Sequence, residues 1–465
     1  MAGNDRAPSR QRVLQSTPDL LQLHRRAPGR YPFLLQSVAQ GTAHSRFDVL
    51  FGFPQDHLEL STDGSLEGHF ARRGQGFLGS LDAWWKELAR PPDPAERLPF
   101  VGGWFLYLGY ELAGEIEPIL KLPQTNSPLP TATAVRCPAA VIQDHARRRS
   151  VLVAEAAHGE CLELMEQDVN ELDDGGADAA GWGGEIAECS EEPAQRFLDG
   201  VKSIRRYIRD GDVFQVNLSR AWQATVAPEF SDARCYQRLR GKNPGPFAGL
   251  ALVGDGAIIS SSPERLVSVR NGRVETRPIA GTFPRGSDLE ADMELSDRLL
   301  HDPKERAEHI MLIDLERNDL GRVCESGSVI VDELLSLESY SHVHHIVSNV
   351  SGQLRKETTP GDVIRACFPG GTITGCPKVR CMQIIAELEG EGRGPYTGAM
   401  GYLNRDGSMD LNILIRTLVR DGNRVTLRAG AGIVADSDPL RELEETRHKA
   451  RGPLAALTGR VNDPG

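Results

Sequence analysis

The chain has 465 residues, 40% of them apolar and 25% charged, with a formal net charge of -12 at pH 7. This is ordinary globular composition, enough for two or three average domains or one large sandwich. The acidic balance, with no basic stripe to offset it, argues against a nucleic-acid partner, and no apolar run approaches the roughly 18 residues that cross a bilayer.

The N-terminal MAGNDRAPSRQRVLQS carries arginines but no apolar core, so it does not resemble a secretion signal. The eight cysteines are scattered and form no CxxC pair, which suits a reducing, cytoplasmic setting better than a disulfide framework or zinc site. Residues 1–154 mix short apolar runs with Pro and Gly punctuation, as in FDVLFGFP and GGWFLYLGYELAGEIE, and predict several strands and a few short helices. Residues 155–190 turn acidic and Gly/Ala-rich (NELDDGGADAAGWGGE), which predicts a linker or loop; an acidic helix at 159–172 is equally compatible.

The third segment, 191–458, is the most clearly patterned. Phe197, Val201, Ile204 and Ile208 recur at helical spacing, and Asp210-Gly211 ends the run. VFQVNLSRA alternates as a strand does, with Phe214, Val216 and Leu218 on one face and Gln215, Asn217 and Ser219 on the other. LVSVRNGRVETRP reads as a hairpin turning on Asn271-Gly272. Strand and helix signals then alternate to the end, with a helix from Pro377 to Leu388 and a last one from about Asp438. Hairpins with segregated helices predict an α+β fold of large antiparallel sheets covered by helices.

The candidate chemistry centres on a helix at 302–317, within HDPKERAEHIMLIDLERND. Asp302 can cap it, Pro303 fits its first position, and Glu305 stands where a capping box places an acid. Ile310 to Leu315 is apolar on nearly every face, so this half should be buried. Glu305 and Glu308 lie one turn apart, leading into that half, where carboxylates need a partner such as a cation; an acidic first turn favoured by the helix dipole is the plainer alternative. The last helix repeats the arrangement: Ser437 can cap it, and Glu442, Glu445 and Lys449 share one face. If the two helices face each other, four carboxylates demand a divalent ion, and Mg2+ fits. Otherwise Glu442 and Glu445 belong to a solvated face with Arg441 and Arg447.

PGGTITGCPK (369–378) is a Gly-rich turn opening a helix, suited to an anion, with Lys378 adding charge; it lacks a Walker junction. AGAGIVAD (429–436) points to close backbone approach of an anionic ligand at Gly430 and Gly432, because a dinucleotide site would need a further acidic residue for which the chain has no room. His345 is a candidate acid or base, although a single histidine in an apolar strand is more often a hydrogen-bonded core residue. Arg416, inside the apolar LNILIRTLV, needs an anion, whereas Tyr396 reads first as packing.

Together these stretches resemble the chorismate-utilising enzymes: anthranilate synthase component I, aminodeoxychorismate synthase component I, and the isochorismate and salicylate synthases. The likeness runs in order through SPERL (262–266), RPIAGTFPRG (277–286), KERAEHIMLIDLERNDLGR, VHHIVS, PGGTITGCPKVR, YTGAMGY, IRTLV, GAGIVADS and ELEET. It implies a sandwich of antiparallel sheets with helices outside. It implies Mg2+ held by Glu308 and Glu445, with Glu305 and Glu442 behind them. Tyr396, Arg416, the Gly432 backbone and Lys449 would hold the carboxylates of chorismate, and Thr372 and His345 would lie by its C4 hydroxyl. Glu264 would be the acid that helps this hydroxyl leave. FLLQS (33–37) and SRFDVL (45–50) are similar to the family's tryptophan-pocket segments, which makes Leu35 and Ser37 regulatory-pocket candidates.

Gln215 stands where the isochorismate and salicylate synthases carry a lysine base; an amide cannot take a proton, which favours ammonia over water as nucleophile. QVNLS and PGGTITG look like the aminodeoxychorismate type, for which the resemblance implies 4-amination and ammonia from a separate glutaminase subunit. Ala280, where the best-known members of that type have a lysine nucleophile, points the other way.

Overall fold

The computed structural model describes residues 9–38, 46–72, 74–93, 95–125, 127, 129–172, 186–286, 288–339 and 343–459. Two antiparallel sheets carry it. The first runs Arg10–Val13, Arg149–Ala154, Ala139–Asp144, Phe47–Gly52, Phe33–Gln36, Phe247–Val253, Gly256–Ser262, Thr417–Asp421, Arg424–Ile433, Gln215–Val226 and Ile186–Glu191, with Gly375–Cys376 also on Gln215–Val226. The second runs Ile279–Pro284, Val343–Gln353, Arg273–Thr276, Arg265–Arg270, Met409–Ile413, Ala399–Asn404, Gly103–Leu108, Ala132–Cys137, His57–Leu60 and Leu66–Gly68, with Ile330–Ser339 on Val343–Gln353.

The sheets face each other across one apolar layer. Phe33, Phe51, Ile142 and Val153 of the first meet Phe105, Tyr107 and Met400 of the second. The Phe33 and Phe105 rings stack 3.9 Å apart and nearly parallel. The outer face of the first sheet is covered by helices Leu20–Arg26, Glu160–Asn170, Asp232–Lys242 and Pro439–Thr458. That of the second is covered by Gly76–Leu88, Pro303–Gly321 and Pro360–Cys367. The α+β sandwich with outer helices is therefore present as expected. A strand covered on both faces loses its alternation. Gly103–Leu108 is buried throughout, which is why the N-terminal part carried so weak a strand signal.

Several local expectations need adjustment. The composition break at 155–190 does not separate two sheets, because each sheet takes strands from both sides of it. Of the two readings given for it, the acidic helix is present as Glu160–Asn170, and the Gly/Ala-rich part lies largely in 173–185, outside the described residues. Phe214 is 68% exposed, so the apolar face of the next strand begins only at Val216. Val216 and Leu218 pack on helices Ala194–Arg209 and Lys378–Glu389. The hairpin at 271–272 forms as read, with φ of 53° at Asn271 and 74° at Gly272, the left-handed pair that a two-residue turn requires.

Candidate active site

The chain passes from the first sheet to the second between Ser262 and Arg265, and returns between Ile413 and Thr417. These two crossings lie side by side. The Ile413 N–H donates to the Glu264 carbonyl at 3.0 Å, Ser262 Oγ donates to the Ile413 carbonyl at 2.5 Å, and the Ser261 N–H donates to the Arg416 carbonyl at 3.2 Å. LNILIRTLV is therefore not one strand but two, with Arg416 in the break. Its φ of 53° lies in the left-handed region, which a non-glycine residue holds only where its surroundings impose it. Burial lowers the Arg416 pKa, against the opposing influence of Glu445 and Tyr396.

Glu264 occupies the first crossing and is 5% exposed. Burial pushes its carboxyl up to about 7, opposed by the Thr372 hydroxyl, the Ile279 N–H and the Lys449 charge. Thr372 is carried by the short helical turn Gly371–Ile373. His345 is buried, and its Nδ1–H donates to the Gly281 carbonyl at 3.2 Å. Burial pushes its pKa down to about 4, so the ring is neutral at pH 7 with its acceptor nitrogen at Nε2. It can accept a proton there but has no acidic one to give.

The Pro303–Gly321 helix is capped by Asp302, whose Oδ1 accepts from the Glu305 N–H at 3.1 Å. The Glu305 carboxylate lies about 3.0 Å from where a Cβ on Gly281 would stand. Gln215 Nε2 donates to Glu308 Oε1 at 2.6 Å. Gly432 sits opposite: a Cβ there would collide with Gln215 Nε2 and come within 3.5 Å of Glu308 Oε1. A Cβ on Gly430 would stand 2.6 Å from Asn217 Oδ1 and 2.8 Å from the Tyr396 hydroxyl. Both glycines are thus required by close approach, of side chains at Gly432 and of side chains and the Leu218 carbonyl at Gly430. Burial lifts the Tyr396 hydroxyl to about 12, which leaves it a donor at neutral pH.

Asp438, not Ser437, caps the last helix, accepting from the Leu440 and Arg441 N–H groups. Ser437 Oγ instead accepts from the Val434 N–H. Glu442 is buried, while Glu445 is half exposed and bonds Lys449 Nζ at 2.7 Å. Lys449 also donates to the Gly430 carbonyl at 3.0 Å, which ties this helix to the site strand.

Lys378 is taken up by a buried acid pair. Its ammonium bonds Asp319 Oδ2 at 2.5 Å, because buried Asp319 and Glu316 leave a carboxylate in need of a cation. Among the described residues no group of three or more His, Cys, Asp or Glu side chains is placed to hold a metal. Leu35 and Ser37 lie elsewhere, lining a cavity of about 290 Å³ with Phe47, Arg265, Met400 and Tyr402. The Arg265 guanidinium in its wall bonds both oxygens of Asp410 at 2.9 Å.

Two site residues escaped sequence reasoning. Asn217 was read only as strand alternation, yet its Oδ1, like Gln215 Oε1, is buried without a hydrogen-bond partner. Two such acceptors side by side on one strand suit a ligand that brings N–H groups. Arg393 was lost among the glycines of EGRGPY; the Glu389–Arg393 spacing of four residues was the available signal.

A family model described as chorismate binding enzyme matches residues 58–455, and the chain belongs to this family. It is 43% identical over 367 residues to an anthranilate synthase component I-like protein of Synechocystis sp., covering 78% of this chain and 74% of that one. It is 36% identical over 434 residues to aminodeoxychorismate synthase component 1 of Klebsiella aerogenes, covering 92% and 94%. The crystal structure of anthranilate synthase component I from Streptococcus pneumoniae matches with a TM-score of 0.76 at 33% identity, over 89% of this chain and 93% of that one. Fold and family together make this a chorismate-converting enzyme.

Proposed function

We propose that the chain replaces the C4 hydroxyl of chorismate with ammonia, giving 4-amino-4-deoxychorismate for p-aminobenzoate and folate synthesis. The observation that carries amination is Gln215, an amide with one end fixed on Glu308 and its acceptor oxygen buried and unpartnered beside that of Asn217. A pair of neutral acceptors orients an amine nucleophile and cannot deprotonate water. Glu264 gives its proton to the departing hydroxyl, which leaves as water, while the ammonia nitrogen bonds to C4 and keeps its protons as the product ammonium. Arg416 and Lys449 face the substrate carboxylates, with the Tyr396 hydroxyl donating beside them. Glu264 then recovers its proton from solvent.

Mg2+ belongs to this proposal, with Glu308 and Glu445 as its ligands and Glu305 and Glu442 behind. The donor chemistry fits, since these are carboxylate oxygens only, and so few that other positions are left to water and a ligand carboxylate. When bound, the ion would supply positive charge to the ring carboxylate. Chelation should abolish chorismate consumption, and added Mg2+ should restore it. In vivo the ammonia would come from a partner glutaminase, as the resemblance implies.

A specific observation favours a second reading, anthranilate synthase component I with amination at C2. Ala280, 7% exposed on the Ile279–Pro284 strand, offers no amine for covalent attack on the substrate, and the relative at 43% identity carries an anthranilate synthase name. The two readings separate by product. Purified protein with chorismate, Mg2+ and ammonium salt, followed by a lyase, should yield p-aminobenzoate. Fluorescent anthranilate formed without the lyase would overturn 4-amination and install the second reading.

A further inference from the structure

Arg393 is 3% exposed and lies behind the site, where the mechanism makes no use of it. A guanidinium has five N–H donors, and here five hydrogen bonds leave it. Nε and Nη2 take the two oxygens of Glu389, at 2.9 and 2.6 Å. Nη2 also reaches the Asn217 carbonyl at 2.8 Å, and Nη1 reaches the Ile373 carbonyl at 3.2 Å and Thr397 Oγ1 at 3.3 Å. Its Cζ lies 5.5 Å from the centre of the Tyr396 ring and 5.0 Å from that of Tyr110.

These partners are the segments that present the candidate catalytic groups. Ile373 closes the turn holding Thr372 beside Glu264, and Asn217 is two residues from Gln215 on the same strand. Thr397 follows Tyr396, is held at a φ of 61°, and sends its N–H to the Leu414 carbonyl at 2.8 Å, at the crossing that leads to Arg416. Glu389 is itself shared, accepting from Ser219 N–H and Oγ at 2.9 Å and from Arg428 Nη2 at 3.2 Å. Even the Arg393 main chain is anchored. Its N–H and that of Gly394 donate to the two oxygens of Glu111, at 2.7 and 3.0 Å.

We propose that Arg393 is a positioning residue: its guanidinium, bonded to the backbone behind both segments, sets where Thr372 and Gln215 stand relative to one another. The inference rests on the chorismate-converting reading of this same site. A planar fork fixes several carbonyls at defined angles, which a single ammonium cannot reproduce. Such a residue affects the reacting end of the substrate most, because it bonds the Asn217 and Ile373 carbonyls directly, while Lys449 is tied from the last helix through Glu445 and the Gly430 carbonyl.

The test is Arg393→Lys, which keeps a cation beside Glu389 and loses the fork. Chorismate disappearance is followed with Mg2+ and ammonium salt, whatever the product. The expected result is a kcat lower by about tenfold or more, with KM for chorismate within about threefold and an unchanged circular dichroism spectrum. If Arg393→Lys does not fold, Glu111→Gln decides: it removes one acceptor from the anchored main chain and should show the same split in smaller measure. A kcat at the parental value, or a raised KM with kcat kept, overturns the positioning role alone. A parent protein that consumes no chorismate removes the underlying reading and the role with it.

Discussion

Glu264 and His345 are driven in opposite directions by one cause. Loss of water disfavours whichever form is charged, so the carboxyl rises to about 7 while the imidazole falls to about 4. At neutral pH the proton donor of the pair is therefore the carboxylic acid. Activity that needs protonated Glu264 is full below about 7 and lost as pH rises through that value. Glu264→Gln should lower kcat by about 10²- to 10⁴-fold and flatten this alkaline limb. A pH profile of chorismate consumption checks it, and a limb that survives in the variant would assign the acid elsewhere. Legibility at this scale follows from desolvation. Arg416 and Glu308 stand out in the sequence because a charge among apolar residues needs an explanation. The ion pair of Lys378 was not legible, because the carboxylate that takes it up is 59 residues away. Tyr396 reads as packing because most of a tyrosine is ring, and nothing local shows where its hydroxyl points.

Glycines in the Arg424–Ile433 strand set how closely the site strands approach. At Gly432 the obstacle to a Cβ is the tip of a flexible side chain, Gln215 Nε2, rather than backbone. Gly432→Ala should therefore leave thermal stability nearly unchanged while displacing Gln215 from Glu308, and kcat with ammonia should fall at least about tenfold. A variant that melts early, or one that keeps full activity, would contradict this. The main helices of the third segment and the 271–272 hairpin were legible because their signals are local. The break at 414–416 was not, since apolar residues with strand propensity run straight through it and only the change of partner sheet marks it. Asp438 and Ser437 are both good caps one residue apart; geometry alone chooses between them.

At the scale of the molecule, the layer between the sheets carries the stability on which the site depends. Phe105 is fully buried there against Phe33 and Phe51. Phe105→Ala should cost about 3–5 kcal/mol, measured by denaturant unfolding; a loss below about 1 kcal/mol would mean that the layer repacks. The sandwich class was legible from hairpin patterns and family motifs. The interleaving of N-terminal strands into both sheets was not, because pairings such as Phe33–Gln36 with Phe247–Val253 leave no local trace.

The crossings at Glu264 and Arg416 belong to neither sheet alone, so both sheets must be complete before the catalytic groups meet. Strands near residue 35 have to find strands near 250, a pairing with a large loop-closure entropy and a slow search. On dilution from denaturant, helical circular dichroism should return well before chorismate consumption; recovery of both in one phase would contradict this order. Catalysis then serves as the clock of the last folding event.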